Sequence, residues 1–291
     1  MSRVLVTGGS GFIGRQALAP LRDRGFEVVT ASRADGVDLL VPGAAEELVP
    51  RVQPTHLLHL AWYAEHGRFW TSPENLRWVE ASLALMRAFA AAGGRRAVIA
   101  GTCAEYDWVP GGTLAEDAPI APSTLYGAAK AGLFTVARAF CAQEGIQLAW
   151  GRIFFTFGPS EPEGRIVPAV ARALIAGDEA RVTHGRQERD FLAVEELGDA
   201  FAALTAADGV EGAVNVASGR AVALRDVVAG VAEAAGHPEL VRLGAIPARE
   251  GEPAELVADV TRLRDEVGWT PRESLQDGLA RAVDWWRAQS A

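Results

Sequence analysis

Tyr126 and Lys130 lie four residues apart in the stretch TLYGAAK, and together they carry the groups that a proton-transfer site needs. Tyrosine occurs three times in the chain, and Lys130 is the one lysine among 28 basic residues, all the others being arginine. On a helix, residues i and i+4 share a face, so the ammonium would stand beside the phenol. A free phenol titrates near ~10, and a neighbouring cation lowers that by roughly 1 to 3 units, towards acid/base work at neutral pH. The alternative is an ordinary helix face that holds both side chains without using them.

A second constellation stands upstream. TGGSGFIG places Gly8, Gly11 and Gly14 at G-x-x-G-x-x-G spacing, with Phe12 and Ile13 between them, after the apolar run RVLVT and before a helical pattern. Glycines permit a tight turn and close backbone approach, and the helix N-terminus offers N–H groups to a pyrophosphate. Against a plain turn, the strand before and the helix after favour dinucleotide binding. A free ribose 2'-hydroxyl calls for Asp or Glu about 20 residues on, whereas a 2'-phosphate calls for arginine. Here FEVVTASR ends on Ser32 and Arg33, and Asp35 follows beside Gly36, past the strand. The reading is NADP through Ser32 and Arg33, with NAD through Asp35 as the runner-up. Asp38 and Leu39, then Leu60 and Ala61 at the end of THLLHLA, complete the candidate cofactor set with Tyr126 and Lys130, whose ammonium can donate to the nicotinamide ribose.

The elements that must position these groups alternate. RVLVT, FEVVTA, THLLHLA, RRAVIAG and QLAWGRIF read as strands, separated by helical stretches such as SPENLRWVEASLALMRAFAAAGG and by a long helix from near Ser123. Such alternation predicts an α/β fold, a Rossmann-type doubly wound parallel sheet covered on both faces. Beyond FGPSEPEGR the pattern loosens into helical stretches near 165–176, 194–206, 224–235 and 275–289, joined by loops rich in Gly, Pro, Arg and Glu. The expected organisation is a dinucleotide-binding domain over 1–155, to which 190–218 returns, and a smaller C-terminal substrate-binding lobe over 156–291.

At 291 residues and 49% hydrophobic the chain can bury a substantial core. Its 37 acidic against 28 basic residues argue against a nucleic-acid or anionic-membrane partner. Cys103 and Cys141 have no metal-like spacing and are too few for a disulfide framework, which suits a reducing compartment, and no metal is expected. No apolar run reaches a membrane-spanning length, and MSRVLVTGG enters a strand at once, so the expected location is the cytoplasm.

These motifs, in this order, resemble the extended short-chain dehydrogenase/reductases of the NAD-dependent epimerase/dehydratase family, which act on nucleotide sugars. The likeness covers VLVTGGSGFIG, the HLAW that stands for an HLAA-like strand end, GTCAEYDW, YGAAK, RIFFTFGP, RDFLAVEELGDAF, NVASGRAVALRDV and VGWTP. It implies a tyrosine acid/base, a lysine that tunes it, and a hydroxyl four residues before the tyrosine of a strand-end motif, here Thr102 before Tyr106. Thr102 would then hydrogen-bond the reacting oxygen, where otherwise it would cap a turn. Departures matter too. The Asp-Glu pair of the family's dehydratases is replaced by Cys103 and Ala104, so elimination is not expected. Cys103 also sits one residue short of the place a fucose-synthase-like cysteine would take, and on a strand that offset changes face. Phe155 and Trp78 stand where asparagines are usual.

The segment AWYAEHGRFW gathers Trp62, Tyr63, His66, Phe69 and Trp70, rings that suit the apolar face of a deoxysugar, or alternatively anchor a loop. For the diphosphate, a chain of formal charge −9 must gather arginines locally. The candidates are Arg165, Arg189 and Arg249, the last two by resemblance, with surface pairing to Glu188, Asp190, Glu250 or Glu252 as the alternative. The resemblance also implies a homodimer through the helices near 72–92 and 123–143. The resulting expectation is NADPH-dependent reduction of the C4 ketone of a nucleoside-diphosphate 4-keto-6-deoxysugar, catalysed by Thr102, Tyr126 and Lys130. The alternatives are a nucleotide-sugar 4-epimerase, a ketoreductase of a non-nucleotide natural-product ketone, and a non-catalytic cofactor-binding regulator.

Overall fold

The computed structural model describes residues 2–248 and 251–290. Its first half runs β1 (Arg3–Thr7), α1 (Gly14–Asp23), β2 (Glu27–Ala31), α2 (Ala44–Val52), β3 (His56–His59), α3 (Glu74–Ala91), β4 (Arg96–Thr102), β5 (Gly112–Leu114), α4 (Leu125–Glu144) and β6 (Gln147–Ile153). The rest runs β7 (Phe155–Phe157), α5 (Ile166–Ile175), β8 (Ala180–Arg181), β9 (Glu188–Arg189), β10 (Phe191–Ala193), α6 (Val194–Ala206), β11 (Gly212–Val216), β12 (Val222–Ala223), α7 (Leu224–Ala235), β13 (Val241–Arg242), β14 (Glu255–Ala258), α8 (Thr261–Asp265) and α9 (Leu275–Ser290).

A six-stranded, wholly parallel sheet forms in the order β11-β6-β4-β3-β1-β2. Alternation along β1 shows why both its faces must be covered. Val4 and Val6 enter one core, with Leu21 of α1 and Phe201 of α6, while Leu5 enters the other, with Leu85 and Phe89 of α3 and Leu133 of α4. The chain reverses direction of travel across the sheet at β1, between β2 and β3, and the crevice at the carboxyl ends of such strands is where open α/β sheets take ligands.

Beyond β6 the structure departs from the single strand expected for QLAWGRIF. The chain leaves the main sheet after Ile153, and β7 pairs instead with β10. A four-stranded mixed sheet, β12-β9-β14-β5, and the small β13-β8 pair complete the second lobe, over a core of Phe157, Leu174, Phe191, Val231 and Trp286. These two- to four-residue strands are too short to show a period, so sequence alone did not reveal them. Helix α6 packs on α1, where a Cβ at Gly198 would meet Gln16 at 2.5 Å, and β11 closes the edge of the main sheet. No helix among the described residues is long and apolar enough to cross a membrane.

Candidate active site

The glycine loop lies at the point where the sheet reverses. Gly8 has φ +72°, and a Cβ there would meet the Ala61 backbone nitrogen at 2.8 Å, so the loop lies directly against the strand end carrying Leu60 and Ala61. A Cβ on Gly14 would strike Gly8 O at 2.1 Å, and the Gly11 amide donates to Gly8 O at 2.9 Å. Ile13 precedes α1 without any side-chain cap, leaving the helix's first N–H groups without side-chain acceptors, as an anion-binding helix start requires. Arg15 stands beside them, tied to Ser10 O and Gly11 O and reaching Ser160 Oγ at 3.0 Å. This donor set suits a dinucleotide.

At the end of β2 the backbone turns at once into a one-turn 3-10 helix, Arg33–Asp35. That turn folds Asp35 back to the strand end, where Ser32 Oγ donates to its carboxylate at 2.7 Å, while Arg33 is exposed. Asp35 thus stays beside the end of β2 although it lies past the strand in sequence. Asp38 Oδ1 accepts the Leu40 amide at 3.0 Å and Leu39 is buried.

Thr124 caps α4, its hydroxyl accepting from the Gly127 amide at 3.1 Å. The helix so begins at Leu125, and Tyr126 falls in its first turn, half-buried between Phe69 at 4.9 Å and Trp70 at 5.8 Å, both edge-on. Burial pushes the phenol's pKa up. The nearby Thr102 hydroxyl and the charge of Arg165 oppose that, while Glu105 and Cys103 add to it. One turn on, Lys130 is buried, donates to Ala100 O at 2.8 Å, and sits 3.7 Å over the Trp62 ring. Burial lowers its own pKa to about 7, with Glu105 raising it. The expected depression of the tyrosine by the lysine is thus absent from the unliganded site: desolvation dominates both groups, and the ammonium is committed to Ala100 and Trp62.

Beneath this pair Glu105 is wholly buried and fully bonded. It accepts the Thr102 amide at 2.9 Å, Trp150 Nε1 at 2.8 Å and Arg152 Nε at 2.8 Å. Thr102 Oγ1 in turn accepts the Ala104 amide at 3.2 Å, so the capping role and the position beside Tyr126 coexist. His59 is buried too, linking Thr7 Oγ1 at 2.6 Å to Ser82 Oγ at 2.8 Å, and burial lowers its pKa to about 3, with Lys130 lowering it further. Cys103 is no proton carrier, since burial, Glu105 and Asp190 push its thiol up to about 12.

The other candidates divide. Trp62 faces Lys130 and donates to Asn75 Oδ1 at 2.8 Å, so it is built into the lysine's surroundings. Tyr63 Oη donates to Glu65 at 2.7 Å on the surface. His66 is exposed, with its ring against Gly164 of the loop leading into α5. Arg165 pairs with buried Glu161 at 3.1 Å, and its charge reaches Tyr126. Arg189 is buried, pairs with Glu252 at 2.8 Å and donates to Glu188 O at 2.7 Å, which is the pairing alternative. Arg249 lies outside the described residues. Among the described residues no group of three or more His, Cys, Asp or Glu could hold a metal ion.

The sequence pattern of the NAD dependent epimerase/dehydratase family matches residues 4–217, nearly three-quarters of the chain. The chain belongs to that family. A UDP-glucose 4-epimerase of Azospirillum brasilense is 30% identical over 325 residues, covering 98% of this chain and 92% of that protein. Among solved structures, the Thermus thermophilus UDP-glucose 4-epimerase in complex with NAD is 27% identical, with a TM-score of 0.83, over 98% of this chain and 99% of that one. MoeE5 in complex with UDP-glucose and NAD is 28% identical, with a TM-score of 0.84, over the whole of both chains. UDP-glucose 4-epimerases thus stand among the relatives at 30% identity and just below, where the resemblance led to the expectation of a reductase.

Within this member of the epimerase/dehydratase family, three polar groups escaped the sequence reading. Glu105 lay in plain view three residues after Thr102, in the spacing of a capping box. Asp190 of RDF is buried and accepts from Ser218 N and Oγ, Gly219 N and Ala258 N, stitching the second lobe together. Asn75 donates to Phe69 O at 2.7 Å and Ser72 O at 2.9 Å, fixing the aromatic loop. Nothing in composition or spacing marks the last two.

Proposed function

We propose that this protein interconverts the C4 epimers of a nucleoside-diphosphate sugar, using NAD held in the glycine-loop cradle. Supporting this reading are Thr102 near Tyr126, Lys130 one helical turn on, and UDP-glucose 4-epimerases among the relatives at 30% and 28% identity. Hydride acceptance and return is the chemistry a bound nicotinamide supplies. The chain's residues do the rest. The glycine loop and the start of α1, which no side chain caps, hold the pyrophosphate, and Asp35, kept at the strand end by Ser32, accepts from the ribose hydroxyls. As a phenolate, Tyr126 Oη would take the proton of the C4 hydroxyl as the C4 hydride passes to the nicotinamide, leaving a ketone on the sugar. It gives that proton back when hydride returns to the opposite ring face, so no cofactor is consumed. Thr102 Oγ1 holds the reacting oxygen against the phenol. Burial favours the phenol, so Tyr126 enters this cycle only after its proton has left to solvent, and the proposal gives Lys130, one helical turn on, the role of stabilising the phenolate when the site is loaded.

In the same reading the lobe over 156–291 takes the sugar nucleotide, with Arg189 and Arg249 on the diphosphate and Arg165 near the sugar. Phe69 and Trp70 line the tyrosine as an apolar wall, with Trp108 edge-on to Trp70. A homodimer through α3 and α4 belongs to the proposal, with Leu76 and Val136 exposed on those helices.

Arg33 favours a second reading, NADPH-dependent reduction of a 4-keto-6-deoxysugar, because an exposed guanidinium at the end of β2 suits a 2'-phosphate. One experiment separates them. The protein is incubated with UDP-glucose and NAD, and separately with a nucleoside-diphosphate 4-keto-6-deoxysugar and NADPH, with products read by proton NMR and cofactor by absorbance. Epimerisation predicts a mixture of UDP-glucose and UDP-galactose with no net cofactor change. Net NADPH oxidation with no epimer formed overturns it in favour of the reductase.

A further inference from the structure

Trp62 takes the place of the second alanine in an HLAA-like strand end. It lies under the ammonium of Lys130, 3.7 Å from ring centroid to Nζ. Two contacts set its orientation: Nε1 donates to Asn75 Oδ1 at 2.8 Å, and its ring stacks on Trp78 with centroids 6.2 Å apart. Asn75 is itself fully buried and anchored by its amide to Phe69 O and Ser72 O. The assembly is therefore rigid from the aromatic loop to the lysine.

We propose that Trp62 is a positioning residue for Lys130, a π-faced clamp that holds the ammonium charged and aimed in a pocket that otherwise disfavours charge. An ammonium has three donors. One meets Ala100 O, one faces the indole, and the third is left for a ligand hydroxyl. Desolvation works against the charged form, and burial lowers Lys130 to about 7. The groups facing it give little help: His59 from β3 is neutral, Tyr126 from α4 is held in its phenol form, and among the described residues only Glu105, after β4, supports the charge from opposite sign. A desolvated cation over tryptophan, the best ring for this interaction, regains part of what burial removes. The paired substitutions at 62 and 78 relative to the family's usual residues then have one common purpose, since Trp78 supports the indole that supports the lysine.

The proposal rests on Lys130 serving the site, yet its test does not. Because Lys130 is the sole lysine, protein grown with lysine labelled at Cε with carbon-13 gives a single lysine resonance, and its pH titration in the unliganded protein reads this one ammonium. Trp62→Leu, which keeps an apolar side chain but removes the π face, should lower the midpoint by about one pH unit. Trp62→Phe, with a weaker face, should lower it less, and Asn75→Ala, which frees the indole to rotate, should fall between the parent and Trp62→Leu. In parallel, the descending alkaline limb of the rate profile of Trp62→Leu should move the same way. A Cε midpoint unchanged or raised in folded Trp62→Leu and Trp62→Phe overturns the clamp. A shifted midpoint with no accompanying change in the rate profile leaves the clamp standing and instead counts against Lys130 in the reaction.

Discussion

Replacing Glu105 by glutamine tests what the buried ion pair beneath Thr102 contributes to stability. The parent carboxylate satisfies three donors: Oε1 takes the Thr102 amide and Trp150 Nε1, and Oε2 takes Arg152 Nε. In Glu105→Gln the amide oxygen keeps the first two, but the amide nitrogen confronts Arg152 Nε, donor against donor. Arg152, 2% exposed, then has Glu116 O and the Tyr106 and Phe134 faces, but no carboxylate, to compensate its charge. Removing one partner of a buried pair costs ~3–5 kcal/mol, so the urea midpoint, followed by tryptophan fluorescence, should fall accordingly. The double replacement Glu105→Leu with Arg152→Met removes the unpaired charge but orphans the Thr102 amide and Trp150 Nε1, at ~1–3 kcal/mol each, and should therefore be destabilised as well. A loss below ~1 kcal/mol in Glu105→Gln, with m unchanged, would refute the reasoning, since it would mean that Arg152 reaches solvent or another acceptor.

Tyr126→Phe should lose turnover by roughly 10²–10⁴-fold while binding NAD as the parent does by calorimetry, because only the proton carrier goes; substantial residual turnover would remove Tyr126 from the mechanism. Asp35→Asn should weaken NAD binding about tenfold and Arg33→Ala should leave it unchanged, whereas tighter binding of NADPH than NADH, lost in Arg33→Ala, would return the cofactor to NADP. Burial raises Glu161 from 4.5 to about 7, so the folded protein holds a proton that the unfolded chain has released. The stability this contributes is full below about pH 4.5 and is lost as pH rises through 7, by as much as ~3 kcal/mol. Against Glu161→Gln, which cannot titrate, the parent should lose stability between pH 5 and 8 in urea titrations; parallel pH profiles for the two would contradict this.

Much of the architecture was legible because it is periodic. β1, β3 and β4 read as apolar runs since both sheet faces are covered, and α4 showed Tyr126 and Lys130 on one face because helical spacing fixes it. The glycine loop was legible through sterics: where a Cβ would strike Gly8 O at 2.1 Å, only glycine fits. What escaped depends on contacts between distant segments. The bond from Ser32 to Asp35 needs a 3-10 turn that no periodicity announces, and it changed the weight of evidence on the cofactor. Trp62 was assigned to the sugar because aromatic residues suit sugars, but Asn75, thirteen residues on, aims its indole at Lys130 instead. Arg189 was placed on the diphosphate by resemblance, and the unliganded structure pairs it with Glu252, sixty-three residues on. Choosing between epimerase and reductase was beyond the motifs, because both reactions use the same hydroxyl, phenol and ammonium.

UDP-glucose carrying deuterium at C4 tests the central claim directly, namely that hydride leaves C4 and returns to it within one site. Incubated with the protein and NAD in ordinary water, it should give UDP-galactose that keeps its C4 deuterium, with no deuterium accumulating in free cofactor. Product bearing solvent hydrogen at C4 would contradict the account by showing proton abstraction instead, and transfer of the label to released cofactor with a 4-keto sugar left behind would show a net oxidoreductase.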